Sequence, residues 1–408
     1  MQQTLSSWIR AALCASVLLL VGCGDGSGSG PVGSTAPADP LAIQNISFKM
    51  GTACAVRGDG AARCWGFSSS NWDQSKKAVT GPLNQLISES NGLNCALNQT
   101  GTVYCWGLAK NVANLGRGGL QDPGDPKTPV AVLTNVAQLD IGNGTVCALT
   151  LDGDVYCWGG GYDLRPSTLD PKLDRPTKIT NLPKIKQISV GDAHSCAVGI
   201  DRSIWCWGSF KYGSDGTGRN TDFRSEAPFR VEIPMGGATQ VSVGLRSACA
   251  VSVRSASVYC WGLNDHGQIG NNNKGNNALF PQKVLLEDGE MARQVAAGDG
   301  YACAMLTSGA ARCWGSNLSG TLGNGERRIG GEAKPVIVQD RSKREFFGFK
   351  GIVASAEPYY NASCGWGEGN HVWCWGDDVV GQLGDGNSGE GVYASTPKPV
   401  KAIESGWQ

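Results

Sequence analysis

Short runs in which apolar and polar residues alternate recur along most of the chain, and glycine punctuates them. The segment from Cys147 to Cys157, Cys-Ala-Leu-Thr-Leu-Asp-Gly-Asp-Val-Tyr-Cys, shows the form: alternation, a turn, alternation again. A period of two predicts strands with one face turned inward, and two such runs about a turn predict a hairpin. Glycine stands six places after the first cysteine at Gly60, Gly101, Gly153 and Gly309. There a type I turn with a following bulge needs a positive φ. That register sets the two cysteines of each hairpin directly opposite one another, close to the separation a disulfide requires.

Fourteen cysteines fall into seven such pairs. They are Cys54 with Cys64, Cys95 with Cys105, Cys147 with Cys157, Cys196 with Cys206, Cys249 with Cys260, Cys303 with Cys313, and Cys364 with Cys374. Each second cysteine opens Cys-Trp-Gly, giving Trp65, Trp106, Trp158, Trp207, Trp261, Trp314 and Trp375. A repeat of roughly 40 to 60 residues built from short strands indicates an array or a propeller with one four-stranded blade per copy. Because Trp follows its cysteine directly, it points to the opposite sheet face and is expected to pack against the neighbouring blade. Zinc ligands come as closer doublets, so the pairs are expected to be disulfides if the chain is exported, and small reduced core residues if it is not.

The N-terminus bears on that choice. Arg10, the apolar run from Ala11 to Gly22 and the ending Leu20-Val21-Gly22-Cys23 have the form of a secretory signal over residues 1–22. The last four residues resemble the bacterial lipobox, which implies a diacylated Cys23. Residues 23–40 are rich in Gly, Ser and Pro and are expected to form a tether, with the folded body at 41–408. Gly24 follows Cys23 where aspartate would favour inner-membrane retention, so the expected address is the outer membrane, periplasmic or surface-facing.

Gly 59, with 17% charged and 8% aromatic residues, suits strands and tight turns rather than long surface helices. Lys+Arg 35 against Asp+Glu 35 leaves no net charge and no general attraction to nucleic acid. The histidines, His194, His266 and His371, fall in three different repeats, and no nucleophile elbow or His-x-x-x-His appears. The chain is therefore expected to be non-enzymatic, without metal or cofactor. Ser214 to Thr217 and Asp385 to Asn387 have short calcium-loop character that reads more simply as turns.

The run from Gly191 to Val198, the run from Ile204 to Gly208, and the stretches Trp261 to Gly270 and Trp375 to Gly384 together resemble the repeat of the RCC1 (regulator of chromosome condensation) family. A Pro-x-x-Val or Pro-x-x-Ile element follows at Pro129, Pro176, Pro228, Pro281, Pro335 and Pro397, and the segment near Pro82 departs from it. The resemblance implies an all-β, seven-bladed propeller over residue 41 to the end. The strand around Pro397 to Ile403 repeats an element that precedes other cysteine pairs, so it is expected to complete the first blade and close the ring.

For function the family gives a protein-binding scaffold, here a monomer held at the membrane only by its lipid and recognising a protein. A carbohydrate or cell-wall ligand taken on exposed rings such as Trp72 or Tyr162 is the alternative. Regulation of a GTPase, as in the eukaryotic namesake, transfers poorly to an exported chain. The longest interval between repeats mixes basic and aromatic groups, the types that dominate interfaces. It offers Arg344, Phe346, Phe347, Tyr359 and Tyr360 as candidate partner-binding residues, against the simpler reading of an inserted strand that buries its Phe side chains.

Overall fold

The computed structural model describes residues 39–67, 79–89, 92–107, 112–118, 128–159, 173–225, 227–234, 236–356, 359–368 and 370–403. Cys23, the expected signal and the expected tether up to residue 38, Trp72 and Tyr162 lie outside them. Among the described residues no helix is long and apolar enough to cross a membrane.

Seven antiparallel sheets, one per cysteine pair, form the blades of a propeller. The inner strands are Ile43–Lys49, Leu83–Ser88, Val136–Gly142, Ile185–Val190, Ala238–Val243, Ala292–Ala297 and Gly351–Ala354. Each lies beside the inner strands of its two neighbours, and Ile43–Lys49 meets Gly351–Ala354, so the ring is complete. The second and third strands of each blade make the cysteine hairpin, and every pair stands in direct register.

All seven bonds are formed, with Cα–Cα distances from 4.0 to 4.2 Å. Cys54 is bonded to Cys64, Cys95 to Cys105, Cys147 to Cys157 and Cys196 to Cys206. Cys249 is bonded to Cys260, Cys303 to Cys313 and Cys364 to Cys374, so no bond joins two blades. Each closes a loop of about eleven residues, worth roughly 3 kcal/mol at most on chain entropy. Turn glycines Gly60, Gly101, Gly153 and Gly309 all have φ near +80°. Arg202, Ala256 and Asn370 hold the same turn position in the other three hairpins, also with positive φ. The eleven-residue spacing of Cys249 and Cys260 is absorbed in its turn, where Ser252 N donates to Ser257 O instead of to the residue four on.

The closing strand is a correction. Tyr393–Pro399 pairs with Val372–Asp377, so the C-terminal strand is the outer strand of blade 7 and not a part of blade 1. The other proline-bearing segments behave alike: Phe229–Val231, Ala278–Lys283 and Arg328–Ile337 each pair with the third strand of the hairpin just before them. Proline lacks the N–H that a central strand needs, which places these segments on the outer edge, where one side faces solvent. The element before each cysteine pair is instead a proline-free inner strand, and Ile43–Lys49 supplies it for blade 1. Ring closure therefore rests on packing between blades 7 and 1.

That packing repeats around the ring. The tryptophan of each blade is buried, and across its hairpin sits a small or slim residue that leaves room for the ring, such as Ala53 opposite Trp65 or Ala248 opposite Trp261. The disulfide of one blade and the tryptophan of the next share a core: Cys54 and Cys64 with Trp106, Cys95 and Cys105 with Trp158, Cys147 and Cys157 with Trp207. Cys196 and Cys206 lie with Trp261 in the same way, and Cys303 and Cys313 with Trp375. Cys364 and Cys374 meet Trp65 across the seam. The disulfides cross-link single blades, yet their sulfurs also supply one wall of each inter-blade core.

Candidate binding faces

The up-and-down order of strands divides every connection between two faces. The hairpin face carries the cysteine-hairpin turns and the links from one blade to the next. The loop face carries the turns between inner and second strands and the longer connections from third to outer strands.

Arg344, Phe346 and Phe347 lie on the link between blades 6 and 7, hence on the hairpin face, while Tyr359 and Tyr360 follow the inner strand Gly351–Ala354 and lie on the loop face. The structure does not bring these five residues into one patch. Arg344 is held by Asp340, its Nη2 at 2.9 Å from the carboxylate. Phe346 packs at 4.9 Å from Phe349 and 5.0 Å from Trp373, in the manner of the simpler reading, while Phe347 is 56% exposed. Tyr359 is 84% exposed and Tyr360 lies 6.5 Å from Phe67, itself 55% exposed.

The loop face thus gathers aromatic groups. Phe67 and Tyr360 meet across the seam of blades 7 and 1, Arg246 covers the ring of Tyr212 at 5.4 Å, and Arg327 covers Tyr393 at 4.8 Å. Cation–π pairing of this kind fixes loop side chains in place while leaving them accessible. On the hairpin face a cavity of about 340 Å³ is lined by Asp154, Lys178, Leu182 and Lys184. Its charges satisfy each other: hydrogen bonds from Lys178 at 2.8 Å and Lys184 at 2.9 Å hold the Asp154 carboxyl below its usual range. Among the described residues no group of three or more His, Cys, Asp or Glu side chains is placed to hold a metal. His194 is buried beside Phe210, and the three histidines stay in separate blades.

Two devices that the sequence reading missed hold the ring from inside. Five inner strands carry a glutamine whose amide clamps the peptide of the next blade: Gln240 Nε2 donates to Val295 O, and Val295 N donates to Gln240 Oε1, both at 2.8 Å. Gln85, Gln138, Gln187 and Gln294 do the same to Leu139, Ile188, Val241 and Ile352. Each clamp satisfies one residue's peptide groups on the free edge of an inner strand in blades 3 to 7, where they would otherwise be left unpaired. Asn45 and Gly351 stand at the matching positions of blades 1 and 7, so the series stops there. The second device is Lys49 of blade 1, whose Nζ reaches across the axis to Asp140 of blade 3 at 3.2 Å and to Val190 O of blade 4 at 3.1 Å.

Models of the regulator of chromosome condensation (RCC1) repeat match residues 152–198 and 255–305, and in a second form 136–163, 185–214, 238–268 and 292–321. Residues 136–214 and 238–321 thus carry RCC1 repeats. Among RCC1-like proteins it is similar to the ultraviolet-B receptor UVR8 of Arabidopsis thaliana, 28% identical over 308 residues, which are 71% of this chain and 64% of the plant protein. It is also similar to the probable E3 ubiquitin-protein ligase HERC6 of Homo sapiens, 31% identical over 160 residues, 39% of this chain and 14% of that protein. The chain thus spans less than two thirds of either relative. Yeast RCC1 (Prp20), in its complex with Kap60, superposes with a TM-score of 0.67 at 18% identity, covering 90% of this chain and 86% of that one. Human WBSCR16 gives 0.60 at 17% identity, covering 76% and 84%. At these identities the likeness is one of fold.

The RCC1 repeat's loop-face glycine has a physical reason here. Trp314 Nε1 donates to Gln268 O at 2.8 Å, and Trp65 Nε1 donates to Gln382 O at 3.0 Å, each reaching the loop of the preceding blade. Two residues after that carbonyl come Gly270 and Gly384, with φ of +73° and +63°. A Cβ at Gly384 would stand 2.7 Å from Trp65 Cδ1, and one at Gly270 would stand 2.8 Å from Trp314 Nε1. The RCC1 stretch Trp-Gly…Gly is therefore a latch, in which one blade's loop closes over the indole of the next.

Proposed function

We propose that this RCC1-repeat protein is a non-enzymatic scaffold that recognises a protein through its loop face while a lipid on Cys23 holds it at the cell envelope. The observation that carries the reading is the set of ordered aromatic and arginine groups on that face: Phe67 with Tyr360, Tyr212 with Arg246, and Tyr393 with Arg327. Tyr and Arg are enriched where protein interfaces concentrate their binding energy. Rigid blades, each stapled by its own disulfide, present them at little entropic cost. Yeast RCC1 supports the analogy, since its structures are described with Kap60, Gsp1p and histones, all proteins, as what it binds. The lipobox-like ending at Cys23 and the seven disulfides support an exported chain with an outer-membrane address.

The test is capture of envelope proteins by the purified full chain, with Tyr212→Ala, Tyr359→Ala and Tyr393→Ala on the loop face and Phe347→Ala on the hairpin face. The expected result is at least tenfold weaker capture by one or more loop-face variants, with Phe347→Ala unchanged. Capture lost only with Phe347→Ala, or binding of glycans in place of proteins on an array, would overturn the proposal.

A further inference from the structure

The loop-face connection of blade 7 differs from its counterparts in blades 5 and 6 by an exchange of amides for acids. In blade 6, Asn317 Oδ1 accepts from Leu322 N, and its Nδ2 donates to Asn324 Oδ1 and to Glu326 O, each at 3.2 Å. Asn264 of blade 5 accepts from Ile269 N and donates to the carbonyls of Asn273 and Asn276. In blade 7 the corresponding residues are Asp378 and, seven places on, Asp385. Asp378 Oδ1 keeps the acceptor role, taking Leu383 N at 2.9 Å. Its Oδ2 replaces the donating nitrogen, is buried and has no hydrogen-bond partner among the described residues. Asp378 is 0% exposed and Asp385 5%.

We propose that Asp378 and Asp385 share one proton, and that this proton latches the loop by which blade 7 closes on blade 1, so that the seam loosens when the proton leaves. An acceptor facing an acceptor in a dry loop needs either a proton or a cation between them. Asp385 is the ionised partner: it takes Lys398 Nζ on Oδ2 at 3.0 Å, and Asn387 N and Nδ2 on Oδ1, each at 3.0 Å. With Lys398 already supplying a positive charge, a proton on Asp378 completes the set. Burial and the neighbouring Asp385 charge push the Asp378 carboxyl up to about 7. The other charges near the pair are Asp377, which accepts Asp378 N on Oδ1, and Arg327 of blade 6, which acts on Asp377.

The location gives the proton its consequence. The same loop supplies Gln382 O and Gly384 to Trp65 of blade 1. This is the one junction without covalent continuity through a blade-to-blade link, and Gly351 leaves it without a glutamine clamp.

The sign follows from linkage. With a carboxyl raised in the closed loop, the latch is fully held near pH 4 and weakens as pH rises through about 7. One linked proton makes loop opening rise by up to about tenfold per pH unit below that point and level off above it. The measurement is amide exchange of residues 378 to 385, with the indole N–H resonance of Trp65 identified by its loss in Trp65→Phe, recorded from pH 5 to pH 8 on the full chain. After correction for intrinsic exchange, opening is expected to rise by at least tenfold across that range in the wild type and to stay flat in Asp378→Asn. Asp385→Asn, which removes the second acid, should flatten it as well. The double variant recreates the amide pair of blade 6 and should hold the latch at all these pH values. A flat wild-type profile, or a wild-type slope retained in either single variant, overturns the proposal.

Discussion

Replacing Gln240 with alanine removes two hydrogen bonds that join blade 5 to blade 6, and its cost measures what holds the ring together from inside. Both bonds are 2.8 Å and both end on the peptide of Val295, one at its N–H and one at its carbonyl. A net hydrogen bond contributes about 1 kcal/mol, and a buried peptide group left unmatched costs about 1–3 kcal/mol. The clamp is only partly buried, and water entering from the axis can replace part of the loss. The expected cost is therefore about 1–3 kcal/mol in urea unfolding, with the slope unchanged.

Gln240→Glu sharpens the expectation. It keeps the acceptor for Val295 N but sets a carboxylate against Val295 O, so it should cost more than alanine at pH 7 and recover towards pH 4. Asn45→Ala is the control, since the shorter side chain at that position makes no clamp, and it should change stability by less than about 0.5 kcal/mol. Gln85→Ala and Gln294→Ala touch separate junctions and should add, whereas Gln187→Ala and Gln240→Ala meet on the inner strand of blade 5 and should not. The reasoning is refuted if Gln240→Ala costs no more than Asn45→Ala.

Two further outcomes are expected. His194 is buried with neither ring nitrogen hydrogen-bonded among the described residues, and burial pushes it down to about 4. The unfolded chain takes that proton near pH 6.5, so stability present above 6.5 should fall by about 3 kcal/mol between there and pH 4. His194→Leu, the residue that blade 2 carries here as Leu93, should lose that part of the pH dependence in urea titrations; an unchanged slope would exclude His194 as its source. Arg202 has φ of +72° at a turn position that is glycine in four other hairpins. Arg202→Gly should therefore raise the thermal midpoint, with a gain of about 0.5–1 kcal/mol, and a lower midpoint would show that its side-chain packing outweighs the strain.

The repeat made the blades legible because the same local physics was written seven times. Cys-Trp-Gly fixes a strand, its register and the direction of a large ring, and the turn glycine fixes the hairpin length. The blade to which the outer strand belongs is not legible in the spacing, because spacing alone does not say which neighbour a strand pairs with. Its prolines do, since Pro281, Pro335 and Pro397 are tolerated only on an edge. The glutamines were visible in five repeats, two places before the residue that faces the first cysteine, but a single polar residue in a short strand reads as solvent-facing until the repeats are aligned on their cysteines. The five candidate partner-binding residues are divided between the two faces for a geometric reason. Phe347 and Tyr359 are close in sequence, but the inner strand Gly351–Ala354 between them carries the chain about 13 Å, from one face to the other.

The same alignment explains why the seam is the place to expect control. Blades 2 to 6 each present a glutamine to the next blade, and the family-model matches fall on the hairpins of blades 3 to 6. At blades 7 and 1 the clamp residues become Gly351 and Asn45, the amide pair becomes Asp378 and Asp385, and the space above Gly351 is filled by Trp366, where a Cβ would meet the indole at 2.0 Å. A ring closed by an exchanged strand would share a sheet between its two ends, and opening it would break a ladder of peptide bonds. A ring closed by a tryptophan under a loop opens by moving that loop alone. Closure by packing thus leaves the seam with neither the covalent link nor the glutamine clamp that joins each of blades 2 to 6 to the next. It also places the exposed Phe67 and Tyr359, with Tyr360 between them and Val380, on loops beside the one that would move.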